Sequence, residues 1–135
     1  MIPRRLAPFA VLALAALPLA VPAVTAHAAN LPVEISTAAT HAGLASKAGT
    51  VKMVHTHLHH TLNCLVGPKG KAFDKAELDP CGGLGAGAIP DARKAAEKKQ
   101  LRAAVAEAER GLKADDLGKA QKIAATTASM LKKIR

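Results

Sequence analysis

The segment Val54-His-Thr-His-Leu-His-His-Thr-Leu-Asn-Cys64 holds four of the chain's six histidines, His55, His57, His59 and His60, within six residues. Imidazole nitrogen is a ligand for zinc, copper and nickel, so this density points first to a transition-metal site. On a helix, residues three or four apart are neighbours. His55 and His59 then share one flank, while His57 and His60 lie on the far side, in line with Met53 and Cys64. Either pair can offer two nitrogens to one ion. His41 falls on the flank of His55 and His59 but stands 14 residues before His55, about 21 Å along a continuous helix. It joins a site only if the helix folds back.

Two imidazoles do not complete a zinc site, which takes four protein ligands, or three and a water. Glu107 and Glu109 on a facing helix, or Asp74, Glu77 and Asp79 in a loop, are the available acids, and spacing does not choose among them. Cu, Zn or Ni would suit paired imidazoles, whereas Met53 with a free Cys64 would suit Cu(I). The structural alternative places one pair at the core edge, hydrogen-bonded, and the other in solvent. A proton switch near pH 6 is a further use of such residues. Haem attachment through Cys-x-x-Cys-His is absent, which leaves non-covalent haem held by His55 or His59 against another helix. His-Glu-x-x-His and Gly-x-Ser-x-Gly are absent as well, and Ser36, Ser46 and Ser129 have no evident base beside them. The residues therefore read as those of a binding protein and not of an enzyme.

The chain begins with the three parts of a secretory signal. Arg4 and Arg5 precede an apolar run from Leu6 to Val24, and Ala26-His27-Ala28 supplies a small-x-small cleavage site. Cleavage after Ala28 is expected. An uncleaved anchor is the alternative, and Pro18 and Pro22 interrupt the run it would use. Residues 29–135 are then a single helical domain in the periplasm or outside the cell, with no transmembrane anchor after cleavage. Removing Arg4 and Arg5 from the 19 basic residues leaves 17 against 10 acidic ones, a formal charge of +7. Such a chain is attracted to anionic envelope surfaces, and the same lysines also keep an alanine-rich protein soluble. Phe73 is the one aromatic residue after position 28, so stacking on bases has almost nothing to use and no specific nucleic-acid partner is expected. In an oxidising compartment Cys64 and Cys81, the only cysteines, are expected to form a disulfide.

Helical periodicity carries the rest. Val33, Thr37, Thr40, Leu44, Val51, Val54, Leu58, Leu62 and Leu65 keep one phase across 33–66. This reads as one long helix, or two helices broken near Gly49, and the unbroken phase favours one. Gly67-Pro68 stops it. Residues 67–90, with three prolines and six glycines, read as a connector tied back by the disulfide. Leu101, Val105, Ala108 and Leu112 mark a helix over about 91–113. Leu117, Ala120, Ala124, Thr127, Leu131 and Ile134 mark another over about 115–134, with Asp115 as N-cap. The fold class is all-α, a three- to four-helix up-and-down bundle.

An export signal, a small all-helical chain and clustered histidines at 55–60 together resemble the small metal-binding proteins of the bacterial periplasm. In that family histidines recur through every helix, whereas the 91–113 and 115–135 segments here contain none. His-Leu-His-His-Thr-Leu-Asn-Cys-Leu-Val-Gly-Pro, followed by Asp-Pro-Cys and a glycine-rich run, also resembles a motif of uncharacterised exported bacterial proteins. The resemblance implies an exported protein that sequesters or carries a metal ion. A structural envelope protein without metal and a haem-binding bundle are the alternatives.

Overall fold

The computed structural model describes residues 29–134. The signal segment and its Ala28 cleavage site lie outside them. Four long helices, α1 (Leu31–Ala45), α2 (Val51–Val66), α4 (Ala95–Leu112) and α5 (Leu117–Lys132), are joined by turns and by a connector ending in the one-turn helix α3 (Ala88–Asp91). Among the described residues there is no strand. The start of α1, the end of α2, the start of α4 and the end of α5 share one core cluster: Ile35, Ala38, Leu65, Leu101, Ala104 and Leu131. The opposite ends share another, with Ala45, Val54, Leu58, Ala108 and Ile123. The helices therefore run up, down, up and down, each packed on its two neighbours in the order α1, α2, α4, α5.

The long helix favoured by the periodicity is two helices. α1 ends at Ala45 with Ser46 as C-cap, and residues 46–50 turn the chain back. Thr50, extended at φ −141°, ψ 150°, accepts the Met53 amide and starts α2. The expected stripe also fails in α1, where Val33 and Leu44 are exposed and Ala38, Ala39, Ala42 and Ala45 are buried. The reason is packing: α1 lies between α2 and α5, and alanines let three helix backbones approach closely. In α2 the stripe holds, since Val54, Leu58, Leu62 and Leu65 are all buried.

The hairpin of α4 and α5 also holds, with shifted edges. Ala92–Lys94 are not helical, so α4 starts at Ala95. Asp116, not Asp115, caps α5, accepting the Lys119 amide at 2.7 Å. Leu101, Ala104, Ala108 and Gly111 face the core, while Val105 and Leu112 are half-buried. At Gly111 the helices approach closely: a Cβ would fall 2.6 Å from Leu58 Cδ1, so Leu58 would have to shift.

α2 stops at Val66 as the Gly67-Pro68 signal requires. Gly67 adopts φ 66°, and a side chain on it would overlap the Ala86 carbonyl, so the two ends of the connector touch here. Cys64 and Cys81 are bonded, with their Cα atoms 5.0 Å apart. Asn63 grips the same loop: its amide donates to the carbonyls of Asp74 at 3.0 Å and Leu78 at 3.1 Å, and its Oδ1 accepts the Asp74 amide at 2.8 Å.

Glu34, in the first turn of α1, is fully buried beneath the end of the connector. Its Oε1 accepts the Gly87 amide at 3.2 Å, and its Oε2 has no hydrogen-bond partner. The Asp91 carboxylate shares the space beside Gly85 with it and accepts the Ala86 amide at 2.7 Å. Burial, and then the Asp91 charge, push Glu34 up to about 7, against the opposing effect of the Gly87 amide.

Two stability predictions follow from these contacts. The disulfide closes a loop with a sequence separation of 17, so a Cys64→Ala/Cys81→Ala variant should lose about 3 kcal/mol in urea unfolding by the loop-entropy model. Glu34 binds a proton in the folded state at a pH where the unfolded chain has released it. Its contribution is complete below the ordinary carboxylate value and is lost as pH rises through about 7. Glu34→Gln should therefore gain about 1–3 kcal/mol over the native chain when unfolding at pH 8 is compared with pH 5. An equal gap between the two proteins at both values would contradict this.

Candidate metal centre

Reversal of the chain at 46–50 lays α1 antiparallel to α2, and this brings His41 to His57 and His60. One ring nitrogen from each lies within 4.8 Å of the others. The ring centroids form a triangle with sides of 5.1 Å (41 to 60), 5.6 Å (57 to 60) and 5.7 Å (41 to 57). His60 is buried, and His41 and His57 are half-buried. In all three the Nδ1 atom is buried with no hydrogen-bond partner. A buried polar atom without a partner is costly, which sets these imidazoles apart from ordinary core-edge histidines. Tetrahedral zinc at its usual bond length places ligand nitrogens about 3.3 Å apart, so the rings would have to draw closer together to hold an ion.

The other two histidines are elsewhere. His55 sits with Nε2 at 3.1 Å from the Ala114 carbonyl, where it ties the start of α2 to the turn between α4 and α5. His59 places Nδ1 3.4 Å from Asp74 Oδ2, near enough for an ion pair but not aligned as a hydrogen bond. Among the described residues no third ligand joins the expected pair of His55 and His59, and His41 belongs with His57 and His60 instead of with that flank. The far-side pair of His57 and His60 is retained. The facing-helix acids are not brought in, since Glu107 pairs with Arg110 on its own helix and Glu109 is exposed. In the loop, Asp79 accepts the Cys81 amide, whereas Glu77 reaches His60, with Oε2 at 3.5 Å from Nε2. Cys64 is in the disulfide and so offers no thiolate, and Met53 is exposed.

The electrostatics favour neutral rings at His41 and His60. Burial first, then His60 and His57, hold His41 below the ordinary histidine value. Burial and then His57 lower His60, with Glu77 working against them. Neutral imidazole is the ligand form, so the site is ready for a cation at neutral pH. The same shifts carry a cost in acid. The unfolded chain takes up protons near pH 6.5 that the folded rings resist, so this part of the stability falls as pH drops through that value.

Neither a protein-family model, nor a characterised protein, nor a solved structure matches the chain. Among the described residues no helix is long and apolar enough to cross a membrane.

A pH titration of the imidazole C–H resonances checks the cluster directly. His41 and His60 should titrate below the ordinary histidine range, and His57→Ala should move both upward by removing a neighbouring positive charge. Unmoved values would show that the three rings do not interact.

Proposed function

We propose that this is an exported, non-enzymatic helical protein that binds a transition-metal ion through His41, His57 and His60. The observation that carries this reading is the convergence of three imidazoles, each with a buried and unpartnered Nδ1. An all-nitrogen set suits the borderline divalent ions Cu(II), Zn(II) and Ni(II) better than Cu(I) or hard cations. Three ligands leave a fourth position for water or a partner's donor, as suits a carrier or sequestering protein that must also release its ion. Export is supported by the N-terminal signal pattern and by the disulfide, which persists in oxidising compartments. The haem reading has no supporting observation, because His55 and His59 are committed to Ala114 and Asp74.

Calorimetric titration of the oxidised protein with Cu(II), Zn(II) and Ni(II) tests the reading. At least one ion should bind with a Kd below about 10 μM, or roughly 7 kcal/mol. His41→Ala, His57→Ala and His60→Ala should each weaken binding tenfold or more, at about 1.4 kcal/mol per tenfold step, while His55→Ala should not. No binding below that limit, or equal binding by the His41→Ala variant, would sink it.

One further observation favours a second, surface-binding role. Arg110 at the end of α4 and Lys113 just past it face Lys119 and Lys122 from α5 across a groove of about 510 Å³. Glu107 pairs with Arg110, and the other three are lysines on an exposed face. Contact with an anionic envelope surface would use this groove. Binding to phosphatidylglycerol vesicles should then weaken steeply as salt rises from 0.05 to 0.5 M and disappear in Lys113→Ala/Lys119→Ala/Lys122→Ala. Salt-independent binding would count against it.

A further inference from the structure

We propose that Glu77 is a positioning residue for the histidine site, accepting the Nε2–H of His60 and so leaving Nδ1 as that ring's metal-binding lone pair. The proposal rests on the metal-binding reading above and names how one of its ligands is oriented.

A neutral imidazole carries one proton, on one of two nitrogens, and the neighbour of the protonated nitrogen selects the tautomer. At His60 the two nitrogens have different surroundings. Nε2 faces the Glu77 carboxylate at 3.5 Å, within ion-pair reach and a small rotation short of a hydrogen bond. Nδ1 is buried and has no partner. Glu77 itself stands outside the triangle of His41, His57 and His60. It is therefore placed to act behind the ligand and not as a fourth ligand. Carboxylates in this outer position fix ring orientation and raise ligand basicity, and losing one typically weakens metal binding about 10–100-fold.

The backbone explains why Glu77 can hold this place although it lies in a connector 17 residues after His60. Asn63, one turn beyond His60 on α2, bonds the carbonyls of Asp74 and Leu78, which bracket Glu77 on either side. Its Oδ1 also accepts the Asp74 amide. The next residue, Cys64, is bonded to Cys81 further along the same loop. Two anchors on the last turn of α2 thus set the height of Glu77 over the helix. The neighbouring acid, Asp74, is directed to His59 instead, at 3.4 Å.

A merely structural role, fastening the connector to α2, would not select a tautomer. Two-bond nitrogen–proton correlation spectra of the oxidised, metal-free protein at pH 8 separate the two. His60 should show a protonated Nε2 and an unprotonated Nδ1, and Glu77→Ala should show mixed tautomers. Zn(II) should bind Glu77→Ala about 10–100-fold more weakly than the native chain, with Glu77→Gln, which keeps an acceptor oxygen, in between. Far-ultraviolet circular dichroism establishes that each variant is folded, and Glu77→Gln carries the comparison if Glu77→Ala is not. A protonated Nδ1 on His60 in the native protein would overturn the proposal. So would native Zn(II) affinity in Glu77→Ala, or in Glu77→Gln where that variant stands in. Affinity lost in His41→Ala but kept in the Glu77 variant removes the role of Glu77 alone. The expected tautomer with no binding of Zn(II), Cu(II) or Ni(II) by the native chain removes the metal reading instead.

Discussion

Thr50 accepts the Met53 amide and starts α2 in a new direction, and the histidine site exists because of that reversal. A continuous helix over the same residues would hold His41 and His57 about 24 Å apart. Folded back around Gly49, they are level, since each stands eight residues from it. His60, one turn past His57, closes the triangle. The turn is held by few bonds of its own: Ser46, Lys47 and Ala48 amides reach back to Ala42, Leu44 and Ala45. Its stability comes from what it permits, the close packing of an alanine face of α1 against α2 and α5.

Ionisable groups enclosed at two places set opposite demands on this small bundle. The imidazoles of His41 and His60 are held neutral, which disfavours acid. Glu34 is held protonated up to about 7, which disfavours base. Both arise from the same circumstance, a polar side chain enclosed where its charged form loses water. They serve different ends of the molecule. Glu34 holds the Gly87 amide and so fastens the end of the connector to α1. The histidines have no equivalent structural bond for Nδ1, and a cation would supply one.

The connector is what a loop of this length needs to be if it is to stay ordered. Its ends meet at Gly67 and Gly87, where positive φ and the lack of a side chain allow backbone contact. Between them it is gripped by the Asn63 amide and the disulfide, both on the last turn of α2. Asn63 was not singled out from the sequence, although a buried amide one residue before a cysteine is the kind of side chain that satisfies loop carbonyls. The connector also presents Asp74 and Glu77 to His59 and His60, which joins the ordering of the loop to the histidine face.

Much of the fold was legible in residue order alone. The all-helical class, the stop at Gly67-Pro68, the pairing of two isolated cysteines and the α4/α5 hairpin follow from local rules: helical period, left-handed glycine, proline and turn chemistry. The His57–His60 pair was legible for the same reason, as neighbours on one helix. Tertiary structure decided the rest. The apolar phase runs through Gly49 without interruption, so periodicity alone favoured one helix, and only a cap at Thr50 and the packing of alanines reveal two. With the helix broken, His41 passes from the flank of His55 and His59 to the opposite pair, while those two are taken up by Ala114 and Asp74. Which imidazoles converge depends on how two helices are set against each other, and spacing within one helix carries no information about that.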